Sequence, residues 1–393
     1  MVFAPKARYT GRHLLLLHEG LGRSGAHALA NMAGLRVRVS ADLEDIDGRG
    51  HELSIGEGTL YHHVGAALVH ADPDQLAALI AQTGVHCISI EPERAVRAFQ
   101  PAGSAATAAG PAETSWGLQT TRVMTSRYTG RGVRVAILDT GLDLQHPDFA
   151  TRSLVTQCFV PGAKVQDGSG HGTYCAGVAC GPALPSRPPR YGVACDADLY
   201  IGKVIADDGS GTDGNILAGI DWAARNDCAI VSLSMGSPVA CGEPYSPIYE
   251  QVAQRALTAG TLIMAAAGND SMRPDRIAPV DHPANCPSIL AIAAIDEYLA
   301  VAPFSCGGIN ADGGEIDLAA PGVAIRSSWP GPDLYRLDSG TSMATPFAAG
   351  IAALVAEANP SKRGRDLLAL ITGGTKALSL PPRDVGAGLI QAP

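Results

Sequence analysis

The feature that most constrains this chain is a series of short, almost wholly apolar runs in its second half: VRVAILD, LYIGKVI, AIVSLSM, TLIMAAAG and SILAIAAI. Runs of this length without polar alternation suit strands buried on both faces. The segments between them, Asn215 to Asn226 and Ser246 to Ala259 among others, carry helical periodicity. Strands joined by crossover helices make a parallel sheet covered on both faces, with ligands gathered at the carboxyl ends of the strands. An α/β domain is therefore predicted.

A chain of 393 residues exceeds the usual size of one core, so a second domain is expected. Residues 101–112, PAGSAATAAGPA, have the bias of a linker and divide residues 1–100 from residues 113–393. Before that linker, Arg12 to His18, Ala66 to His70 and Val85 to Ile90 read as strands and Asp74 to Thr83 as a helix, a small α+β domain. Hydrophobic residues are 46% of the chain but aromatics only 5%, with 46 glycines, which excludes disorder and points to close-packed layers. A net charge of −9 and no long Lys/Arg run argue against a nucleic-acid partner. No apolar run of about eighteen residues suggests a membrane span, and Leu14 to Leu17 is too short for a secretory signal. The nine cysteines include no C-x-x-C pair, which removes the usual zinc and thioredoxin signatures. Their number fits an oxidising compartment and the missing signal the cytoplasm, so the compartment stays open.

Three motifs carry chemistry-bearing residues at element boundaries. Asp139 ends a strand in VAILDTG, His171 approaches a helix in GSGHGT, and Ser342 opens an Ala-rich helix in SGTSMATPFAAG. Each alone has a plain structural reading: a turn acceptor, a satisfied histidine, a helix cap. Together they offer a nucleophile at a helix N-terminus, a base and an orienting carboxylate.

DTGLDLQHPDF, GSGHGTYCAGV and SGTSMATPFAAG resemble, in order and spacing, the three signature segments of the subtilisin-like serine protease family, the subtilases. The resemblance runs from Trp116 to the C-terminus through KVIADDGSGT, VSLSMGSP, MAAAGND and DLAAPGV. It implies a parallel-sheet catalytic domain and a serine endopeptidase acting on polypeptides, with Ser342 as nucleophile, His171 as base and Asp139 orienting it; the order Asp, His, Ser is the one known for subtilisin. It also implies Asn269 as the side-chain donor to the oxyanion beside the backbone N–H of Ser342, and Ser234, Met235 and Gly236 as the substrate strand. Ala266, Ala267 and Gly268 then form a wall of the primary specificity pocket. Aligning HPANCPSILAIAAID puts Asp281 near the floor or rim of that pocket, where it would favour a cationic side chain; the competing reading is a solvated loop carboxylate paired with Arg276.

The first domain is similar to the family's prodomain in size, position and its close around VHADPDQLAAL. That implies a self-processing zymogen whose own prodomain is a partner, with residues near Glu93 to Gln100 in the cleft and maturation within residues 101–112. Cys175 stands four positions after His171, as in the proteinase K branch, and reads equally as a thiol of the active site or an inert buried one. The loop ACGPALPSRPPRYGVACDAD has Pro and Arg where the family often has an Asn-containing calcium loop. Asp148 matches one calcium ligand, so no metal site or cofactor is assigned and a structural calcium is left open. Rival readings are a transpeptidase or peptide cyclase with the same triad, and a catalytically silent binding scaffold. A nucleotide-binding module lacks both glycine-rich phosphate motifs.

Overall fold

The computed structural model describes residues 7–40, 52–84, 87–99 and 116–393, so the linker at 101–112 lies outside the described residues, as do Gln100 and the start of the strand expected at Val85. The N-terminal unit runs β1 (Arg8–Leu17), α1 (Ser24–Ala33), β2 (Arg36–Val39), β3 (Glu57–Tyr61), β4 (Ala66–His70), α2 (Pro73–Ala81) and β5 (Cys87–Ala98). Its strands lie in the order β2-β3-β4-β1-β5, antiparallel except for β2 with β3. The four leucines of β1 are buried on both faces: Leu15 and Leu17 pack with Leu29 and Leu79 under the helices, while Leu14 and Leu16 face the second unit. Successive side chains of a strand point to opposite faces, so an unbroken Leu run marks a strand between two cores. Helix α2 starts on Asp72, whose carboxylate accepts from Gln75 N while the Gln75 side chain reaches back, a capping box followed by Pro73.

The second unit runs α3 (Trp116–Thr120), β6 (Arg134–Asp139), β7 (Leu154–Cys158), α4 (His171–Cys180), β8 (Asp198–Lys203), β9 (Ser210–Thr212), α5 (Asp213–Arg225), β10 (Ile230–Leu233), β11 (Met235–Gly236), α6 (Pro247–Thr258), β12 (Leu262–Ala266), β13 (Leu290–Ile295), β14 (Leu318–Pro321), β15 (Ile325–Ser328), β16 (Tyr335–Asp338), α7 (Thr341–Ala358), α8 (Gly364–Gly373) and α9 (Pro382–Val385). Seven parallel strands form one sheet in the order β14-β13-β12-β10-β6-β8-β7; the five apolar runs supply β13, β12, β10, β6 and β8, and the edge strands β14 and β7 are not predicted by them. Alternation along β6 sends Val135 and Ile137 to the core with α4 and α7, and Ala136 and Leu138 to the core with α5 and α6. The strand order reverses between β6 and β10, and the crevice beyond their carboxyl ends is where an open α/β sheet places its ligands.

Among the described residues helix α7 alone is long and apolar enough to cross a membrane, by length and composition only, and 89% of it is buried as the central helix of this unit. Strand β5 is longer than expected, because its far half pairs with the second unit. Ala98 faces Met235 and Arg97 faces Gly236 on one edge, while Ala95, Val96 and Arg97 face Thr212, Gly211 and Ser210 on the other.

Candidate active site

Asp139 closes β6, and its Oδ1 lies 2.7 Å from Nδ1 of His171, the first residue of α4. The same oxygen accepts from Thr140 N at 2.7 Å, which fixes the carboxylate. Burial, the largest single influence, works against a charged imidazole here, but the charge and hydrogen bond of Asp139 together with Cys175 hold His171 well above its ordinary value. The loop entering α4 is tied together by Asp167, a residue sequence reasoning missed. Its Oδ1 accepts from Thr140 Oγ1, Ser169 N and Gly170 N, and its Oδ2 from Thr173 N and Oγ1. The available signal was an Asp just ahead of a helix, a position that satisfies first-turn N–H groups. Gly170 has φ 96°, and a Cβ there would meet the Trp329 ring at 2.6 Å, so glycine is required.

Ser342 is the second residue of α7 and is buried. Pro346, four residues on, has no N–H for the carbonyl of Ser342. Ser234 Oγ (3.0 Å) and Cys175 Sγ (3.6 Å) donate to that carbonyl instead, tying the Ser342 backbone to the residue after β10 and to α4. The Ser342 hydroxyl points to Ser234 O at 3.3 Å, and His171 Nε2 has no hydrogen-bond partner among the described residues. Such contacts tighten when a substrate is bound. Asn269, beyond β12, accepts from Thr341 N at 2.9 Å and Thr341 Oγ1 at 2.8 Å through its Oδ1. Its amide nitrogen is thereby oriented as a donor beside the start of α7. Thr341 was a second residue missed, since its role depends on a contact between strand end and helix start.

The expected substrate strand is occupied by the chain itself. Phe99 donates its N–H to Ser234 O at 3.4 Å, Arg97 and Ala98 pair with Gly236 and Met235, and a Cβ on Gly236 would meet the Phe99 ring at 2.6 Å. Opposite, Ala266 and Ala267 are buried, and Gly268 follows with φ 108°, where a Cβ would lie 2.4 Å from Asp281 Oδ2. Asp281 is 2% exposed, its N–H bonds Ala267 O at 3.0 Å, and its Oδ2 has no hydrogen-bond partner among the described residues. The reading of a solvated carboxylate paired with Arg276 therefore fails: the Arg276 guanidinium donates to Asp270 O. Burial first, then the charge of Asp270, push the Asp281 carboxyl well above the usual range.

Acidic residues of β5 cap two helices of the second unit. Glu93, fully buried, accepts from Gly214 N at 2.9 Å at the start of α5 and is paired with Arg12 at 2.6 Å. Glu91 accepts from Ile248 N at 3.0 Å and Ser246 Oγ at 2.6 Å at the start of α6. Asp213 answers by accepting from Arg94 N at 2.9 Å. Carboxylates at helix N-termini are favoured by the unpaired N–H groups and the dipole.

Cys175 Sγ lies 3.8 Å from His171 Nδ1, and burial pushes its thiol up, so it stays a neutral thiol. The Asp148 carboxylate is held by three protein hydrogen bonds. Its Oδ1 accepts from Ser186 N (2.7 Å) and its Oδ2 from the hydroxyls of Tyr191 (2.7 Å) and Tyr335 (2.8 Å). The neighbouring carbonyls of Arg187 and Pro189 accept from the Arg326 guanidinium, which lies 4.2 Å over the Tyr335 ring.

The family model described as the subtilase family matches residues 130–388. M-protease of Shouchella clausii is 41% identical over 234 residues, 59% of this chain and 56% of that protein. Subtilisin BL of Lederbergia lenta is 41% identical over 59% of this chain and 79% of its own length, and Subtilisin E of Bacillus subtilis 39% identical over 60% and 58%. The chain thus spans little more than half the length of M-protease and of Subtilisin E.

Proposed function

This chain belongs to the subtilase family, and on that premise we propose that it is a serine endopeptidase made as a self-processing zymogen, with residues 1 to about 100 as its inhibitory prodomain. The relatives named above are proteases and subtilisins by name, and the 2.7 Å pairing of Asp139 with His171 beside Ser342 supports the same chemistry here. Ser342 Oγ attacks a peptide carbonyl as His171 Nε2 takes its proton, and Asp139 holds the imidazole and stabilises its charge. The oxyanion receives hydrogen bonds from the Asn269 amide and the N–H of Ser342. His171 returns the proton to the leaving amine, and water hydrolyses the acyl-enzyme.

The observation that carries the zymogen reading is the end of β5, which enters the crevice as an antiparallel strand, with Phe99 bonded to Ser234 O. An extended peptide added to a sheet edge is how a protease holds a substrate. Phe99 is then the residue before the scissile bond, Ala266, Ala267 and Gly268 line the pocket for its side chain, and Asp281 lies behind Gly268. Mass spectrometry of the purified chain after self-incubation tests this. The expected products are an N-terminal fragment ending at Phe99 and its complement, both absent from Ser342→Ala. Cleavage elsewhere only, or unchanged cleavage in Ser342→Ala, refutes it. A cyclic or ligated peptide dominating over hydrolysed product would favour transfer to an amine instead.

A further inference from the structure

We infer that His62, His63 and Asp221 form a binding site for a divalent transition ion of the zinc class, bridging the N-terminal unit to α5. One ligand atom from each lies within 4.8 Å of the others. The two histidines sit in the turn between β3 and β4, with ring centroids 4.0 Å apart, while Asp221 comes from the third turn of α5. The site is therefore contributed by both units.

Three observations make it a site rather than a chance meeting. Asp221 is 1% exposed, an unusual place for a carboxylate. It is held by His63 N (2.9 Å) and Val64 N (3.3 Å) on Oδ1 and by Ser40 Oγ (2.7 Å) on Oδ2. Ligating carboxylates are oriented by such outer hydrogen bonds; Oδ1 accepts twice, and Oδ2, with Ser40 as its one donor among the described residues, keeps a lone pair to give. The His63 ring approaches the same carboxylate, with Nδ1 3.8 Å from Oδ1, and reaches solvent, so an ion has a path of entry. Two imidazoles and a carboxylate leave a fourth position to water, a donor set that suits zinc better than calcium or magnesium. Zinc bonds of about 2.0–2.2 Å place tetrahedral donors roughly 3.3–3.5 Å apart. The present ligand atoms, within 4.8 Å of one another, draw together to that separation when an ion binds. Arg23 lies within electrostatic reach of His63 and works against a cation.

An ion here would fasten the N-terminal unit to α5 and so slow its departure, which rests on the prodomain reading; its presence in the intact chain does not. The test uses uncleaved Ser342→Ala protein, also carrying Cys241→Ser to remove the exposed thiol, titrated with zinc chloride by calorimetry and by thermal unfolding. The expected result is one ion per chain with a raised Tm. Affinity should fall at least tenfold in His63→Ala and in Asp221→Asn, and rise in Arg23→Gln. His63 is exposed, so its loss leaves the fold intact, checked by circular dichroism. No uptake at millimolar zinc overturns the proposal, as does binding unchanged in His63→Ala. Binding that instead disappears in Cys175→Ser puts the ion at the Asp139, His171 and Cys175 cluster, and also overturns it.

Discussion

Phe99 donates its backbone N–H to the carbonyl of Ser234, the residue whose hydroxyl donates to the carbonyl of Ser342. The end of the N-terminal unit and Ser342 are thus two hydrogen bonds apart. Whatever holds one in register holds the other.

Asn269 is oriented by Thr341 through two hydrogen bonds, so its loss and its misalignment are separable. Asn269→Ala is expected to lower kcat by about 10²–10³ with little change in KM, the magnitude known for a subtilisin that lacks this donor. Thr341→Val should give a smaller fall in kcat of the same kind. Steady-state kinetics on one peptide substrate checks both; a KM effect without a kcat effect would remove Asn269 from the oxyanion role.

Glu93 is buried against Gly214 N and Arg12, and truncating one partner of such a group costs about 2–5 kcal/mol. Inhibition in trans by a separately expressed residue 1–99 segment should weaken roughly thirtyfold or more in Glu93→Ala. Because Arg12 shares that unit, Glu91→Ala, which touches only α6 at Ser246 and Ile248, is the companion variant and should weaken inhibition less. Equal inhibition by wild type and both variants would show that these caps do not contribute.

Asp281 predicts a specificity that changes with pH. Its carboxyl is raised, so it is neutral at low pH, when an aromatic side chain such as that of Phe99 fits beside it, and ionised above. Preference for Lys or Arg before the cleaved bond should therefore grow as pH rises, reaching about ten- to a hundredfold for a charge-assisted contact of about 1.5–3 kcal/mol. Profiling a peptide library at pH 6 and pH 9 with wild type and Asp281→Ser checks it. A cationic preference that is absent at both pH values, or unchanged in the variant, excludes the residue as a determinant.

Asp317, ahead of β14, accepts from Ala291 N at 2.8 Å, and burial pushes its carboxyl up to about 7. An acid whose folded pKa is raised binds more protons folded than unfolded, so stability falls as pH rises from about 4 to about 7. Asp317→Asn keeps an acceptor for Ala291 and removes that charge. The Tm of the variant should exceed that of wild type at pH 8 and match it near pH 4, in an inactive Ser342→Ala background that prevents self-digestion.

Much of this was legible in the sequence because of where the residues stand. Asp139, His171 and Ser342 each occupy the last or first positions of an element with a strong pattern, so their convergence at one end of the sheet follows from the topology. The parallel strands were legible because burial on both faces leaves no polar interruption. Helix α1 was not, since only Gly25, Ala26 and Leu29 are buried and its small residues carry little periodicity. Asp167 and Thr341 act through contacts between segments distant in sequence, which no local pattern encodes. The far half of β5, with Glu93 and Phe99, is polar and irregular by itself and becomes a strand only because β9 and β11 flank it.

At Arg97 the chain lies between Ser210 and Gly236, bonded along both edges, and none of these bonds lies beyond Phe99. Breaking the peptide bond after Phe99 leaves every one of them in place. On the zymogen reading proposed above, severance and unmasking are two clocks: the first runs on chemistry within one molecule, the second on the dissociation of a strand with its two helix-capping carboxylates. On that reading a population of this protein can be completely cut and still latent.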